Sequence, residues 1–316
     1  MSGPAISARR QCARTGQLTG QMQSWYQDLL EDRLTHCGHS LNAVFHLTAD
    51  RPNSLVALKR STRIVDRLET ARIMKTLLLL MLSMVAVARE ATAQDAQCVR
   101  ERSAMVETIR AYARSDASAL GQQGLSERVL EAMGQTKRHL FIPERSCSIA
   151  YADRPLPIGL GQTISQPFIV ALMTQLAEVA PDHVVLEVGT GSGYQAAILA
   201  HLARKVCTIE IIPQLAEAAA NTLRNLAYDN VSVRLGDGYD GWPECGPFDA
   251  IVVTAALGQV PPPLIEQLKV GGRLVMPVGP GYTTQHLTVV EKIAPDKTTT
   301  RAVALVRFVP LTRSQN

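Results

Sequence analysis

The stretch Val185-Leu-Glu-Val-Gly-Thr-Gly-Ser-Gly-Tyr194 passes from an apolar strand through a glycine turn into a helix. Glycines at 189, 191 and 193 take backbone angles that other residues resist, and they let the main chain come close to a ligand. The spacing is G-x-G-x-G, which differs from the G-x-G-x-x-G of dinucleotide enzymes. Around this loop the chain alternates. Residues 183–189, 205–211, 231–235, 249–254 and 272–278 read as strands. Residues 194–203, 213–226 and 262–268 read as helices, the second with Leu215, Ala219, Leu223 and Leu226 inward. Such alternation predicts a parallel sheet covered on both faces. The last two strands, 286–293 and 301–309, flank the polar turn Pro295-Asp-Lys-Thr-Thr299 and predict an antiparallel pair at a sheet edge.

Upstream of the loop the pattern is helical over residues 98–114 and 126–133. Arg154-Pro-Leu-Pro-Ile-Gly-Leu-Gly161 reads as a loop, and Gln162-Thr-Ile-Ser-Gln-Pro167 follows it. A helix then starts at Pro167, where a missing N–H costs nothing. Ile169, Val170, Met173, Leu176, Ala177 and Ala180 share one of its faces.

Three acids fall near strand ends: Glu187 inside the first strand, Glu210 closing the second, and Asp237 just after the third. Open α/β sheets bind ligands at the carboxyl ends of their strands. A carboxylate at Glu210 suits both hydroxyls of a ribose, and one at Asp237 suits an adenine amino group. The same acids repel a pyrophosphate. Together they fit a nucleoside with a positive, phosphate-free tail, which describes the sulfonium of S-adenosylmethionine. Taken singly, each acid is as well explained as a helix cap or a solvated side chain.

Composition bounds the rest. The chain has 316 residues, 46% apolar and 19% charged, which suits a globular protein with a sizeable core. Residues 1–73 hold 10 Lys/Arg and 6 Asp/Glu, while the remainder holds 22 of each, so the net charge of +4 sits in the leader. A neutral body and 4% aromatics argue against a nucleic-acid partner. Residues 1–73 read as a disordered or mis-annotated extension; His36, Cys37, His39 and His46 lie there without zinc spacing. Residues 74–93 carry the grammar of a secretory signal. Met74-Lys75 opens it, an apolar run of 12 residues covers 77–88, and Ala91-Thr92-Ala93 ends it. The run is too short for the ~20 residues of a membrane span. Either translation starts at Met74 and the chain is exported, or the run is a buried or loosely held helix. In an exported chain Cys98 and Cys147 are candidates for pairing, which the sequence leaves open. Cys207 reads as an inert core residue.

Several blocks carry a family resemblance. Glu187-Val-Gly-Thr-Gly-Ser-Gly193 resembles motif I of class I S-adenosylmethionine methyltransferases. Leu156-Pro-Ile-Gly-Leu-Gly-Gln-Thr-Ile-Ser-Gln-Pro167, Gly236-Asp-Gly-Tyr-Asp-Gly-Trp242, Phe248-Asp-Ala-Ile-Val-Val-Thr-Ala-Ala256 and Val306-Arg-Phe-Val-Pro-Leu311 are together similar to protein-L-isoaspartate O-methyltransferases. The resemblance covers about residues 100–313. It implies an α/β fold with a doubly wound, Rossmann-like, mostly parallel sheet, a C-terminal antiparallel hairpin and a helical N-terminal cap. The methyltransferase domain would span 94–316, with the cap over about 98–180 and the core over about 181–316. The implied reaction moves a methyl group from S-adenosylmethionine to the α-carboxylate of an L-isoaspartyl residue, and of a D-aspartyl residue in some cases. The ester then closes to a succinimide, which starts repair.

The resemblance also implies roles. Ser165 is the active-site residue. Glu187, Gly189, Gly191, Gly193, Glu210, Asp237 and Gly238 hold the cofactor, with Gln285 near it. Thr163, Ile164, Thr254 and Ala255 face the substrate. Residues 306–311 offer backbone groups to the substrate chain as an added strand, or are simply part of the core. From the residues alone, Ser165 is equally a cap for the helix at Pro167. No metal, no nucleic acid and no membrane insertion are implied, and the expected state is a monomer in the cytoplasm, or in the periplasm or outside the cell if Met74 is the start. The substrate carboxylate is already ionised at neutral pH, so the scattered histidines, seven in all, need supply no base. Competing readings are a nicotinamide-dependent oxidoreductase, another methyltransferase, and a silent exported protein that kept the fold.

Overall fold

A computed structural model describes residues 54–115 and 124–313. The reading of residues 1–53, including the histidines near Cys37, lies outside the described residues.

The chain divides into two compact units, 1–87 and 88–316. Helix α1 is Ser54–Ser115. In the first unit, Leu77 through Leu82 are 49–65% exposed, so this part of the apolar run is not buried. In the second unit, Cys98, Met105, Ile109 and Ala113 recur on one buried face of α1.

The rest of the second unit follows in order: α2 Glu127–Gln135, a 3₁₀ turn Arg138–Phe141, α3 Cys147–Ala150, β1 Leu156–Gly159, β2 Gln162–Ile164, α4 Pro167–Leu176, β3 Val184–Val188, α5 Tyr194–Ala200, β4 Lys205–Glu210, α6 Pro213–Asn225, β5 Val231–Leu235, β6 Phe248–Val253, α7 Pro262–Gln267, β7 Leu268–Val278, β8 Gln285–Ala294 and β9 Lys297–Val306. Seven strands form one sheet in the order β5-β4-β3-β6-β7-β8-β9. The first five are parallel; β8 and β9 run antiparallel at one edge. Strand order reverses at β3, so the crevice beyond its carboxyl end is the natural ligand site.

The sheet holds together through alternating burial. Val185 packs into the core on one face of β3, while Leu186 and Val188 pack into the core on the other. Burying each such side chain contributes roughly 1.5–3 kcal/mol. Glu187 shares a face with Val185, which directs its carboxyl under the helical layer rather than into water.

The structure departs from the sequence reading at several places. Residues 54–73, read as part of a disordered or mis-annotated extension, lie in α1. Residues 154–161 are not all loop: β1 and β2 form a two-stranded antiparallel hairpin, with Leu156 opposite Ile164. β7 begins at Leu268 rather than 272, with an irregularity between Phe248 and Ala250 in its partner strand that absorbs the Gly271-Gly272 pair. Lys297–Thr300 belong to β9, not to a turn; the strand is exposed through this part, so no apolar alternation marks it. Cys207 is not an unpaired core residue: it is disulfide-bonded to Cys245. Cys98 and Cys147 are bonded likewise.

Candidate active site

The helix α4 begins behind the Thr163–Gln166 loop, and its first turn shows what Ser165 does not do. The N-cap residue is Gln166, and no side-chain cap bond comes from it. The orphan amide of Phe168 donates instead to Asp153 Oδ1 at 2.8 Å, and Gln166 Nε2 donates to Asp153 Oδ2 at 2.8 Å. Asp153 thus caps α4 from a separate loop. Ser165 is left without a hydrogen bond among the described residues, and it lines two cavities. The capping alternative for Ser165 gives way. Sequence reasoning missed Asp153, whose signal was an acid in the turn preceding the Pro/Gly-rich stretch.

Across the cleft, the glycine loop is fixed by contact. Gly189 has φ +95°, and a Cβ there would meet Thr254 Oγ1 at 2.5 Å. The Thr254 hydroxyl uses that space, donating to Gly189 O at 2.6 Å. Gly191 N–H donates to Glu210 Oε2 at 2.8 Å, while Ile211 and Ile212 N–H donate to Oε1 at 3.0 Å each. A carboxylate offers about four acceptor positions. Three are taken, so the structure leaves Glu210 room for one ligand hydroxyl rather than two. Gly193 begins α5 in the left-handed region.

Glu187 is fully buried, and Oε2 accepts a hydrogen bond from Thr208 at 2.6 Å. Burial pushes its carboxyl up to about 8, against the pull of the Thr208 hydroxyl. The free group ionises near 4.5. Across that window the folded state keeps a proton that the unfolded state has lost, so the Glu187 contribution to stability falls as pH rises. Glu187→Gln is therefore expected to melt higher than the wild type at pH 8 and about equally at pH 4.5. The gap should be on the order of a few kcal/mol, at about 1.4 kcal/mol per pKa unit. Thermal melts of the cofactor-free protein at the two pH values check this; equal melting points at pH 8 would refute it.

Asp237 and Gln285 lie away from the cleft lining. Asp237 accepts from Tyr239 N–H at 3.0 Å and pairs with Arg313 at 2.8 Å, while the Arg313 guanidinium covers the Tyr239 ring at 3.7 Å. Its neighbour Gly238 does line the cleft, in a place where a Cβ would come within 2.3 Å of Val188. Gln285, expected near the cofactor, is fully buried. It accepts from Phe308 N–H at 2.8 Å and donates to Phe308 O at 3.2 Å and Pro280 O at 3.0 Å. It holds the 307–310 segment as a neighbouring strand would.

Two cavities adjoin between Thr163, Thr254 and Val309. One lies over Gly189, Gly191, Glu210, Gly238 and Ala255. The other, about 480 Å³, lies between Ser165 and residues 305–309. Thr163, Thr254 and Val309 line both. Ile164 is buried beside Ser165 and lines a small void under Glu187. Among the described residues, Cys98, His139 and Cys147 group as metal-ligand types, but the disulfide occupies both sulfurs.

The family model for protein-L-isoaspartate(D-aspartate) O-methyltransferases matches residues 117–316. The chain belongs to this family. It is 58% identical over 208 residues to protein-L-isoaspartate O-methyltransferase 2 of Polaromonas sp., covering 66% of this chain and 99% of that one. It is 53% identical over 236 residues to protein-L-isoaspartate O-methyltransferase 2 of Syntrophobacter fumaroxidans, covering 75% and 95%. A solved protein-L-isoaspartate O-methyltransferase superposes with a TM-score of 0.59 at 27% identity, covering 66% of this chain and 65% of that one. Membership makes the chain an S-adenosylmethionine-dependent methyltransferase whose reaction is methylation of L-isoaspartyl residues in proteins. The residues present fit that donor: an acid with a free acceptor position faces glycines whose bare backbone opens the cleft.

Proposed function

We propose that the cleft over the glycine loop takes the methyl donor and that the 480 Å³ cavity takes the isoaspartyl peptide, with the two reactants meeting at Thr163, Thr254 and Val309. The single observation that supports this is the uncommitted Ser165 hydroxyl, released from capping by Asp153 and exposed to the peptide cavity. The bound donor supplies an electrophilic methyl group on a sulfonium. The peptide carboxylate arrives ionised, so the protein need only aim it. Ser165 donates a hydrogen bond to one carboxylate oxygen and fixes the angle of the other. Thr163 and Ile164 bound the loop that carries Ser165, and Thr254 with Ala255 forms the floor between the cavities. Good alignment of this kind can supply up to ~7–11 kcal/mol of barrier reduction.

The substrates are damaged proteins and peptides; D-aspartyl residues are a secondary substrate, nucleic acid and metal take no part, and the enzyme acts as a monomer. A tritium-methyl transfer assay on an isoaspartyl peptide and its aspartyl twin tests the reading. Label on the first alone supports it, and label on neither or both overturns it. A nicotinamide cofactor is the rival the glycine spacing disfavours, and absence of NADH binding in the same preparation separates the two.

Gln285 belongs to the peptide side in this scheme. Gln285→Leu leaves the Phe308 amide and carbonyl without partners, so the KM for the isoaspartyl peptide should rise roughly tenfold or more. Donor affinity by calorimetry should stay within about twofold, because no Gln285 atom faces the donor cleft. A loss confined to donor affinity would return Gln285 to the cofactor side.

The compartment proposed is outside the cytoplasm. No helix of the described residues is long and apolar enough to cross a membrane. The family resemblance alone implies the cytoplasm. The signal grammar of 74–93 and the two disulfides favour export.

A further inference from the structure

We infer that the Ala93–Gln94 bond is a signal-peptidase cleavage site, and that the Cys98–Cys147 disulfide fastens the helix it leaves behind to the body. This deepens the proposed compartment and stands independently of the methyl-transfer reading.

The first argument is the exposure of the run. Leu77 to Leu82 are six consecutive apolar residues on a helix, so they cover every face of it. A helix that is apolar all round belongs in a core or in lipid. Here Ile73, Met74, Leu77–Leu82, Met84 and Val85 are all exposed. An unburied apolar surface of this kind marks a segment with a destination outside the folded chain. Its length, 12 residues, is that of a signal h-region and not of a span. Lys75 stands before it, and the polar pair Arg89-Glu90 separates it from Ala91-Thr92-Ala93.

The second argument is where the body begins. Side chains from Thr92 to Gln97 are exposed, and Cys98 is the first buried one in the second unit among the described residues. Met105, Ile109 and Ala113 continue the buried face. A cut after Ala93 therefore falls outside the buried face that begins at Cys98 and leaves the whole amphipathic part of α1.

The third argument is the bond at the fifth residue past the cut. Cys98 is disulfide-linked to Cys147 across 49 residues, with Cα atoms 5.0 Å apart. A cytoplasmic protein rarely keeps such a bond, whereas an exported one does. The His139 ring reaches within 4.8 Å of both sulfurs. When the bond forms, the two thiols give up two protons and two electrons to a disulfide-bearing oxidant, which leaves as its dithiol. The product ties the remaining part of α1 to the body.

The experiment uses the full gene, tagged at the C-terminus, in a Gram-negative host. Periplasmic and cytoplasmic fractions are treated with N-ethylmaleimide before and after reduction, and intact masses are read. The inference expects a periplasmic chain starting at Gln94 that takes no label before reduction and four labels after it, at Cys98, Cys147, Cys207 and Cys245. Ala93→Tyr should leave an unprocessed precursor and deplete the Gln94 form at least tenfold. A cytoplasmic chain starting at Met1 or Met74 overturns the cleavage site, as does processing unaffected by Ala93→Tyr. A chain starting at Gln94 with Cys98 and Cys147 labelled before reduction overturns the disulfide anchor. None of these readouts depends on methyl transfer, so a failed activity assay and a failed export assay are distinguishable.

Discussion

Replacing Glu210 by alanine is expected to weaken S-adenosylmethionine binding roughly a hundredfold or more while the chain still folds. Two effects add. The ribose loses a charged acceptor, and hydrogen bonds to charged groups contribute about 1.5–3 kcal/mol each. The loop loses its anchor as well, since the carboxylate holds the amides of Gly191, Ile211 and Ile212. Glu210→Gln separates the two. Its single oxygen serves either Gly191 or the Ile211–Ile212 pair, so it should bind more tightly than the alanine variant and more weakly than the wild type. Calorimetric titration with the donor reads the affinities, and circular dichroism confirms the fold. Wild-type affinity in Glu210→Ala would remove the carboxylate from the donor site altogether.

The same carboxylate shows what a sequence can and cannot disclose. Its position at the end of β4 follows from periodicity, because Val206, Cys207 and Ile209 are buried strand residues and Glu210 closes the run. Its commitment to three backbone amides does not, since those donors come from two separate turns. Strands with buried faces were legible for the same reason: β3 and β6 are almost wholly apolar. Exposed pairing was not. Lys297–Thr300 lie on an edge strand whose residues face water, so no alternation betrays them. The β1–β2 hairpin was hidden by Pro157 and Gly159, which read as loop signals although they sit in a short, bulged pair.

Site residues divided along the same line. The glycine loop and Ser165 each lie in a contiguous motif, the first read from its glycines and the second marked by the family resemblance. Asp153 and Gln285 act on backbone groups 15 and 23 residues along the chain, and such long-range caps leave no local pattern. The cavity proposed for the peptide is consequently walled by segments that two side chains hold through the chain's own groups. Asp153 sets the wall that carries Ser165, and Gln285 sets the wall that carries Phe308.

Ser165→Ala is the sharpest test of that division. The hydroxyl makes no internal hydrogen bond among the described residues, so its removal should leave the melting temperature within about 1 °C, as for a surface change without structural duty. Turnover should fall roughly 10- to 100-fold, the worth of one hydrogen bond to a carboxylate that must be aimed. Donor affinity should not move, because Ser165 lies on the peptide side. A second variant guards the conclusion: Asp153→Ala keeps the hydroxyl but frees the loop and the first turn of α4. It should lower stability by about 0.5–2 kcal/mol, the cost of losing a helix cap, and reduce turnover as well. Steady-state kinetics on the isoaspartyl peptide and thermal melts of both variants decide the matter. If Ser165→Ala melts lower by as much as Asp153→Ala does, the serine is part of the cap and the aiming role fails. If it melts normally and turns over normally, the carboxylate is aimed by backbone groups of residues 307–309 alone.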